Sequence, residues 1–273
     1  MQRLGQHFAF QSAQRLAQGR IEEECKQSNG RKWFMKIDKM DQSKTILPTI
    51  WSQVRAPILK LGERVVTGII GSMWDGPTHT DVLVRTQLED MSHGAEAQCS
   101  CALMNLHHVA RQEGHLPAEW VISADNTYKE TKNTIFLGFI IFLLCVMGGC
   151  TPLKSVLVVF LIVGHTHDKL DRFFSRLGVS LKGHDYFTFD EMFAIIIKCL
   201  TTYDVQVTHM TDCWAWKELK PMMPAMKGIY FVHSINIYWR GGGIWMRWKQ
   251  YMTDEAALKF KSKQSSALSS YGI

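Results

Sequence analysis

The feature that most limits what this chain can become is the stretch Thr134–Cys150, which carries no charge and is followed almost at once by a second apolar run, Val156–Val163. A membrane span needs about 20 apolar residues. This stretch is shorter, contains Gly138, Gly148 and Gly149, and is divided from the second run only by Thr151–Pro152–Leu153–Lys154. The pair reads as a buried helix feeding a buried strand, so no membrane partner is expected. A helix of that kind needs a large core around it. With 273 residues, 46% of them hydrophobic and 21% charged, the chain can build that core as one domain with appendages, and wholesale disorder is excluded.

The flanking sequence supplies the rest of the order. Residues 1–29 read as helical, with Leu4, Phe8, Ala13, Leu16 and Ile21 on a weak apolar face, and no apolar leader segment is read there. Gln27–Ser28–Asn29–Gly30 breaks that helix. Trp33–Asp38 alternates as a strand, Glu63–Gly71 and Thr80–Thr86 give two more, and Asp75–Gly76–Pro77 is a turn between them. Ala95–Arg111 is a helix, Trp120–Ser123 a fourth strand, Lys132–Val146 the buried helix, Val156–Val163 a fifth strand and Asp168–Leu181 a further helix.

Three strands joined as a meander, followed by strands alternating with helices, is the order of a ribonuclease-H-like fold: a mixed sheet, antiparallel and then parallel, flanked by helices. A C-terminal α+β extension is expected beyond it, with a helix at Asp190–Thr202 and a hairpin within Gly228–Tyr251. The resulting division is an N-terminal helical segment (1–29), the core (30–183), the extension (184–260) and a flexible tail (261–273).

That order brings the ends of the first strand, the fourth strand and the helix after the fifth strand to one side of the sheet. Asp38, Asp125 and the pair Asp168 and Asp171 occupy those places. Carboxylates from distant positions that converge are what a site for two divalent cations, Mg²⁺ or Mn²⁺, requires. Asp168 also suits a helix cap, so Asp171 is the preferred third ligand, and Asp38 is preferred to Asp41 because it lies closer to the strand.

His165 and His167, in Gly164-His165-Thr166-His167, suit phosphate contact or proton relay. The same motif occurs in metallophosphoesterases, but the Asp-x-His, Gly-Asp and Gly-Asn-His elements of that class are missing. Lys169, Arg172 and Arg176 along one helix face, Arg247 and Lys249 beside Trp245, and Lys44, Lys129, Lys132 and Asn133 near the carboxylates are candidate nucleic-acid contacts. The net charge of +6 and pI near 8.9 are compatible with a polyanion. Seven cysteines form no C-x-x-C pair. A zinc knuckle is therefore disfavoured, and a reducing compartment with buried thiols is expected, including those in the apolar helix.

Ile37-Asp38-Lys39-Met40-Asp41-Gln42-Ser43-Lys44, then Asp125-Asn126 with Lys132-Asn133, then Gly164-His165-Thr166-His167 with Asp171 and Phe174-Ser175 resemble a transposase/integrase-like family of algae, protists and other eukaryotes. The likeness runs from about residue 30 to Leu181 and more loosely beyond. It implies an element-derived protein with metal-dependent DNA cleavage and strand transfer, DNA as partner, a nuclear location and scope for homo-oligomers. The chain departs from a complete transposase in opening on a helix with no recognisable upstream DNA-binding domain, and in carrying Asp where many such enzymes have Glu as the third carboxylate. A truncated or inactive copy, kept as a nucleic-acid- or protein-binding module, is the alternative expectation, and a metallophosphoesterase is the second.

Overall fold

A computed structural model describes residues 2–40, 45–47, 49, 65–76, 79–88, 91, 94–127, 130–160, 169–199, 203–223, 229 and 232–250. The chain is an α/β protein built on one mixed eight-stranded sheet. Helix α1 (Gln2–Lys26) leads into β1 (Lys32–Lys39); β2 (Ile46–Leu47) and β3 (Val65–Val66) form a small separate pair. Strands β4 (Gly68–Asp75) and β5 (Thr80–Gln87) complete an antiparallel meander with β1. Then come α2 (Ala95–Glu113), β6 (Glu119–Ala124), α3 (Thr134–Met147), β7 (Ser155–Phe160) and α4 (Lys169–Lys182). Both β6 and β7 run parallel to β1. After α4 come α5 (Phe189–Lys198), β8 (Asp204–His209), a 3-10 helix (Trp216–Met222), β9 (Ser234–Arg240) and β10 (Gly243–Lys249).

The strand order is β10-β9-β7-β6-β1-β4-β5-β8, so the first strand in sequence lies in the middle of the sheet. The strand alternation divides the core into two faces. On one face Trp33, Met35 and Ile37 of β1 join Trp120, Ile122 and Ala124 of β6 and Val156, Val158 and Phe160 of β7, under α2 and α3. On the other, Ile69 and Met73 of β4 and Val82 and Val84 of β5 pack against Leu170, Phe173, Phe174 and Leu177 of α4 and Met192 and Ile196 of α5.

Several boundaries move from where the sequence alone places them. The second strand of the meander ends at Asp75, inside the expected turn, and β8 and the 3-10 helix were not foreseen. Helix α5 stops at Lys198, not Thr202, with Cys199 as its C-cap. Helix α3 is apolar all round but not fully covered: Phe142 and Val146 stay exposed on its outer side. The expectation of buried thiols holds for Cys25, Cys99 and Cys101 and fails for Cys145 and Cys150, which are exposed; the described cysteines are free thiols. Among the described residues no helix is long and apolar enough to cross a membrane.

Helix α1 docks on the sheet, but not by the apolar face expected of it: Leu16 is 65% exposed, while Ile21 packs inward. Its inward side is largely amide and charge: Gln11, Gln14 and Gln18 are buried, with Cys25 at the far end. Cys25 packs with Phe34 and Val121, and Gln18 Nε2 donates to Ser123 Oγ at 3.1 Å. Glu22 sits between Lys36 of β1, at 3.3 Å, and Lys169 of α4, at 2.5 Å. Lys169 also reaches Asp75 at 3.3 Å. Burial alone would raise the Glu22 carboxyl, but its hydrogen bonding with Asp75 and the charges of Lys36 and Lys169 overcome that and hold it at about 2.

Candidate functional site

The carboxylates sit where the parallel strands β1 and β6 end. Ile37 pairs with Ala124, so Asp38 and Asp125 are the next residues on adjacent parallel strands and share a face. On its other side Asp38 pairs with Gly71 of β4. A Cβ on Gly71 would stand 2.7 Å from the Phe174 ring and 3.2 Å from Leu170 Cδ1. The bare glycine therefore lets the first turns of α4 lie directly on the sheet beside Asp38. That close approach delivers Asp171, the acidic residue of the first turn of α4.

Local hydrogen bonds fix two of the carboxylates. The Lys39 amide donates to Asp38 Oδ1 at 2.8 Å, and the Asn126 amide donates to Asp125 Oδ1 at 2.7 Å. The loop after β6 is tied to itself. Thr131 Oγ1 donates to the Asp125 carbonyl at 2.6 Å, and the Lys132 amide to the Thr127 carbonyl at 3.0 Å. Lys132 Nζ donates to Asn126 Oδ1 at 2.6 Å, and Asn133 caps α3 by accepting from the Phe136 amide.

Electrostatics registers the convergence. Burial pushes the Asp38 carboxyl up, and the negative charges of Asp125, Asp171 and Glu130 add to the rise against the Lys39 amide, leaving it at about 7. Burial raises Glu130 as well; the Lys39 ammonium opposes that and Asp125 reinforces it. Glu130 is thus a fourth acidic member, missed by sequence reasoning because it stands in a loop with no periodicity and no motif. Among the described residues no three of His, Cys, Asp and Glu stand close enough to cage an ion as they are. The donor set is nevertheless all oxygen, which suits hard cations such as Mg²⁺ or Mn²⁺. The mutual repulsion at Asp38 is what a bound cation would relieve.

The remaining candidates divide. His165, His167, Asp168, Lys44 and Lys129 lie outside the described residues. Lys169 is engaged with Glu22 and Asp75, tying α4 to α1, and does not stand open to a phosphate. Lys132 and Asn133 are buried and brace the Asp125 loop from below; burial brings the Lys132 ammonium down to about 8. Arg172 and Arg176 are exposed on α4, and Arg176 acts on the Cys199 thiol beyond α5. Arg247 and Lys249 are exposed on β10.

A family model for DUF7869, a domain of unknown function, matches residues 60–254. The chain belongs to this family. The DUF7869 segment contains Asp125, Glu130 and Asp171, with the strands and helices that carry them, while Asp38 and α1 precede it. No curated protein and no solved structure matches the chain.

Proposed function

We propose that this chain is a divalent-metal-dependent nuclease or polynucleotidyl transferase of ribonuclease-H-like fold, acting on DNA in the manner of transposases and integrases. The observation that carries the reading is the placement of Asp38 and Asp125 at the adjacent ends of β1 and β6, with Asp171 in the first turn of α4, whose Phe174 and Leu170 lie against Gly71 beside Asp38. The antiparallel meander β1-β4-β5 with β6 and β7 parallel to β1 supports the fold named. A DNA substrate would place the protein in the nucleus.

Asp38, Asp125 and Asp171 would hold Mg²⁺ or Mn²⁺, with Glu130 at the rim. The metal, when bound, supplies Lewis-acid polarisation of the phosphate and acidifies the attacking water or 3′-hydroxyl. The chain's own part is orientation. The Lys39 and Asn126 amides fix the planes of two carboxylates, and the register of β1 against β6 sets those carboxylates side by side. The reaction forms one P–O bond and breaks another, moving a proton from the attacking to the leaving oxygen.

The test is nicking of supercoiled plasmid in Mn²⁺. Asp125→Asn is expected to lower the rate at least about 100-fold, and nicking that survives this change sinks the assignment. A second reading, a non-catalytic binding module, is favoured by the absence of a preformed ligand trio among the described residues. Calorimetric titration separates the two, because only the enzyme takes up Mn²⁺ in a manner dependent on Asp38.

A further inference from the structure

The face of the sheet that carries Asp38 and Asp125 continues sideways beyond α1. Cross-strand register runs Lys36–Ser123–Val159–Ser234–Lys249 in one row, Phe34–Val121–Leu157–Asn236–Arg247 in the next, and Lys32–Glu119–Ser155–Tyr238–Trp245 in the third. Residues paired across strands point to the same side. Helix α1 covers the β1, β6 and β7 ends of these rows, where Cys25 and Ile21 pack on Phe34, Val121, Val159 and Leu157. Helix α3 packs against the other side of β9 and β10, and on this side Trp245, Arg247 and Lys249 are exposed.

That uncovered part is aromatic and basic. Trp245 is 44% exposed, and its indole N–H donates to the Arg240 carbonyl at 3.2 Å, which holds the ring on the hairpin. Arg247 lies over the Tyr238 ring at 5.5 Å, and Lys249 is exposed one row closer to the carboxylates. The opposite side of the same hairpin is different: Ile235, Ile237 and Ile244 are buried in the core. The large and charged residues that remain outside are therefore on the carboxylate side of the sheet.

We propose that the β9–β10 surface is a platform for a single-stranded polynucleotide, which it leads toward Asp38 and Asp125. The clause about where the strand leads rests on the phosphodiester reading; the binding itself does not. Same-face residues repeat every ~6.8 Å along a strand, and β10 lies about 14 Å, three strand spacings, from β6. A surface with that spacing presents an aromatic ring and cations to base faces and phosphates in turn. Stacking on Trp245 requires bases whose faces are bare, which a duplex hides inside its own stack. The exposed cations Arg240, Arg247 and Lys249 complement the phosphates. DNA and RNA single strands share this chemistry.

The test uses the full chain with fluorescent 20-mers of single-stranded DNA, single-stranded RNA and duplex DNA, followed by anisotropy in EDTA so that no cutting occurs. Single strands are expected to bind at least tenfold more tightly than duplex, and the stronger of the DNA and RNA arms names the substrate. Trp245→Ala should weaken single-strand binding roughly tenfold, and Trp245→Phe should restore most of it. Arg247→Gln should reduce the slope of log affinity against log salt by about 0.7. Trp214→Ala, at an exposed tryptophan outside the hairpin, should change nothing.

Equal or tighter duplex binding overturns the platform, as does wild-type affinity in both Trp245→Ala and Arg247→Gln. Asp125→Asn should slow nicking at least about 100-fold, as the phosphodiester reading requires. If Asp125→Asn still nicks but the Trp245 and Arg247 losses stand, the cleavage site is misassigned and the platform survives.

Discussion

The two faces of β1 and β6 come from the same twelve or so residues yet follow different rules. Toward α2 and α3 the side chains are Trp33, Met35, Ile37, Trp120, Ile122 and Ala124, without a polar group beyond the indoles. Toward α1 and α4 they pass from Phe34 and Val121, through Lys36 and Ser123, to Asp38 and Asp125. One face grows more polar along its length and the other does not. Helix α1 follows the gradient, offering Cys25, then Glu22 and Gln18, opposite each step. A sheet can hold a charged site in its middle when one face alone supplies the apolar burial and the other is partnered residue by residue.

Ile122→Asp is the largest way to break this contrast. The residue is fully buried on the apolar face, and a carboxylate there has no partner. The expected loss is about 4 kcal/mol or more, seen as loss of the cooperative thermal transition. A stable, folded Ile122→Asp variant would show that the faces are not so different.

Glu22→Ala comes next. It strips the carboxylate from Lys36, whose side chain is only 5% exposed, and from Lys169. The expected cost is about 2–4 kcal/mol in urea unfolding. Loss of α1 protection in hydrogen exchange, without loss of β6 protection, would locate the effect in the docking of α1.

Asp38→Asn has the opposite sign and a smaller size. The folded carboxyl titrates at about 7 against an ordinary 3.8. As pH rises from 4 to 7 the unfolded chain releases this proton first, so the folded state loses stability through that window and bears the full cost above 7. The amide removes the cost. The variant should be more stable than wild type by roughly 1–3 kcal/mol at pH 8, with the gain fading toward pH 4, as denaturant midpoints across that range will report. A variant no more stable at pH 8 would mean that the cost of burying a charged Asp38 beside other carboxylates is relieved within the protein.

Much of this was legible in the sequence, and the failures have physical causes. Alternation placed β1, and the break at Ala124–Asp125–Asn126 placed the end of β6, so Asp38 and Asp125 could be put side by side. Asp171 is preferred to Asp168 because Asp168 suits a helix cap, and Asp171 does lie in the first turn of α4. Strand β8 escaped because it is an edge strand of mixed, half-buried residues, Asp204 to His209, with no apolar alternation strong enough to mark it. The docking of α1 escaped because its buried side is Gln11, Gln14 and Gln18, which reads as solvent-facing. Lys169 was read as a DNA contact because its helix face is basic; that Glu22 waits opposite is a tertiary fact, separated from it by most of the chain.

The central place of β1 has a consequence for how the molecule assembles. Pairing β1 with β4 and β5 uses neighbours in sequence, whereas β6 must close against β1 across the whole meander and α2, and α4 must arrive later still. Local pairing precedes distant pairing when loop closure sets the barrier. Asp38 therefore meets Asp125 and Asp171 only through contacts distant in sequence, and the opposition of their charges belongs to the completed fold and not to any one local element.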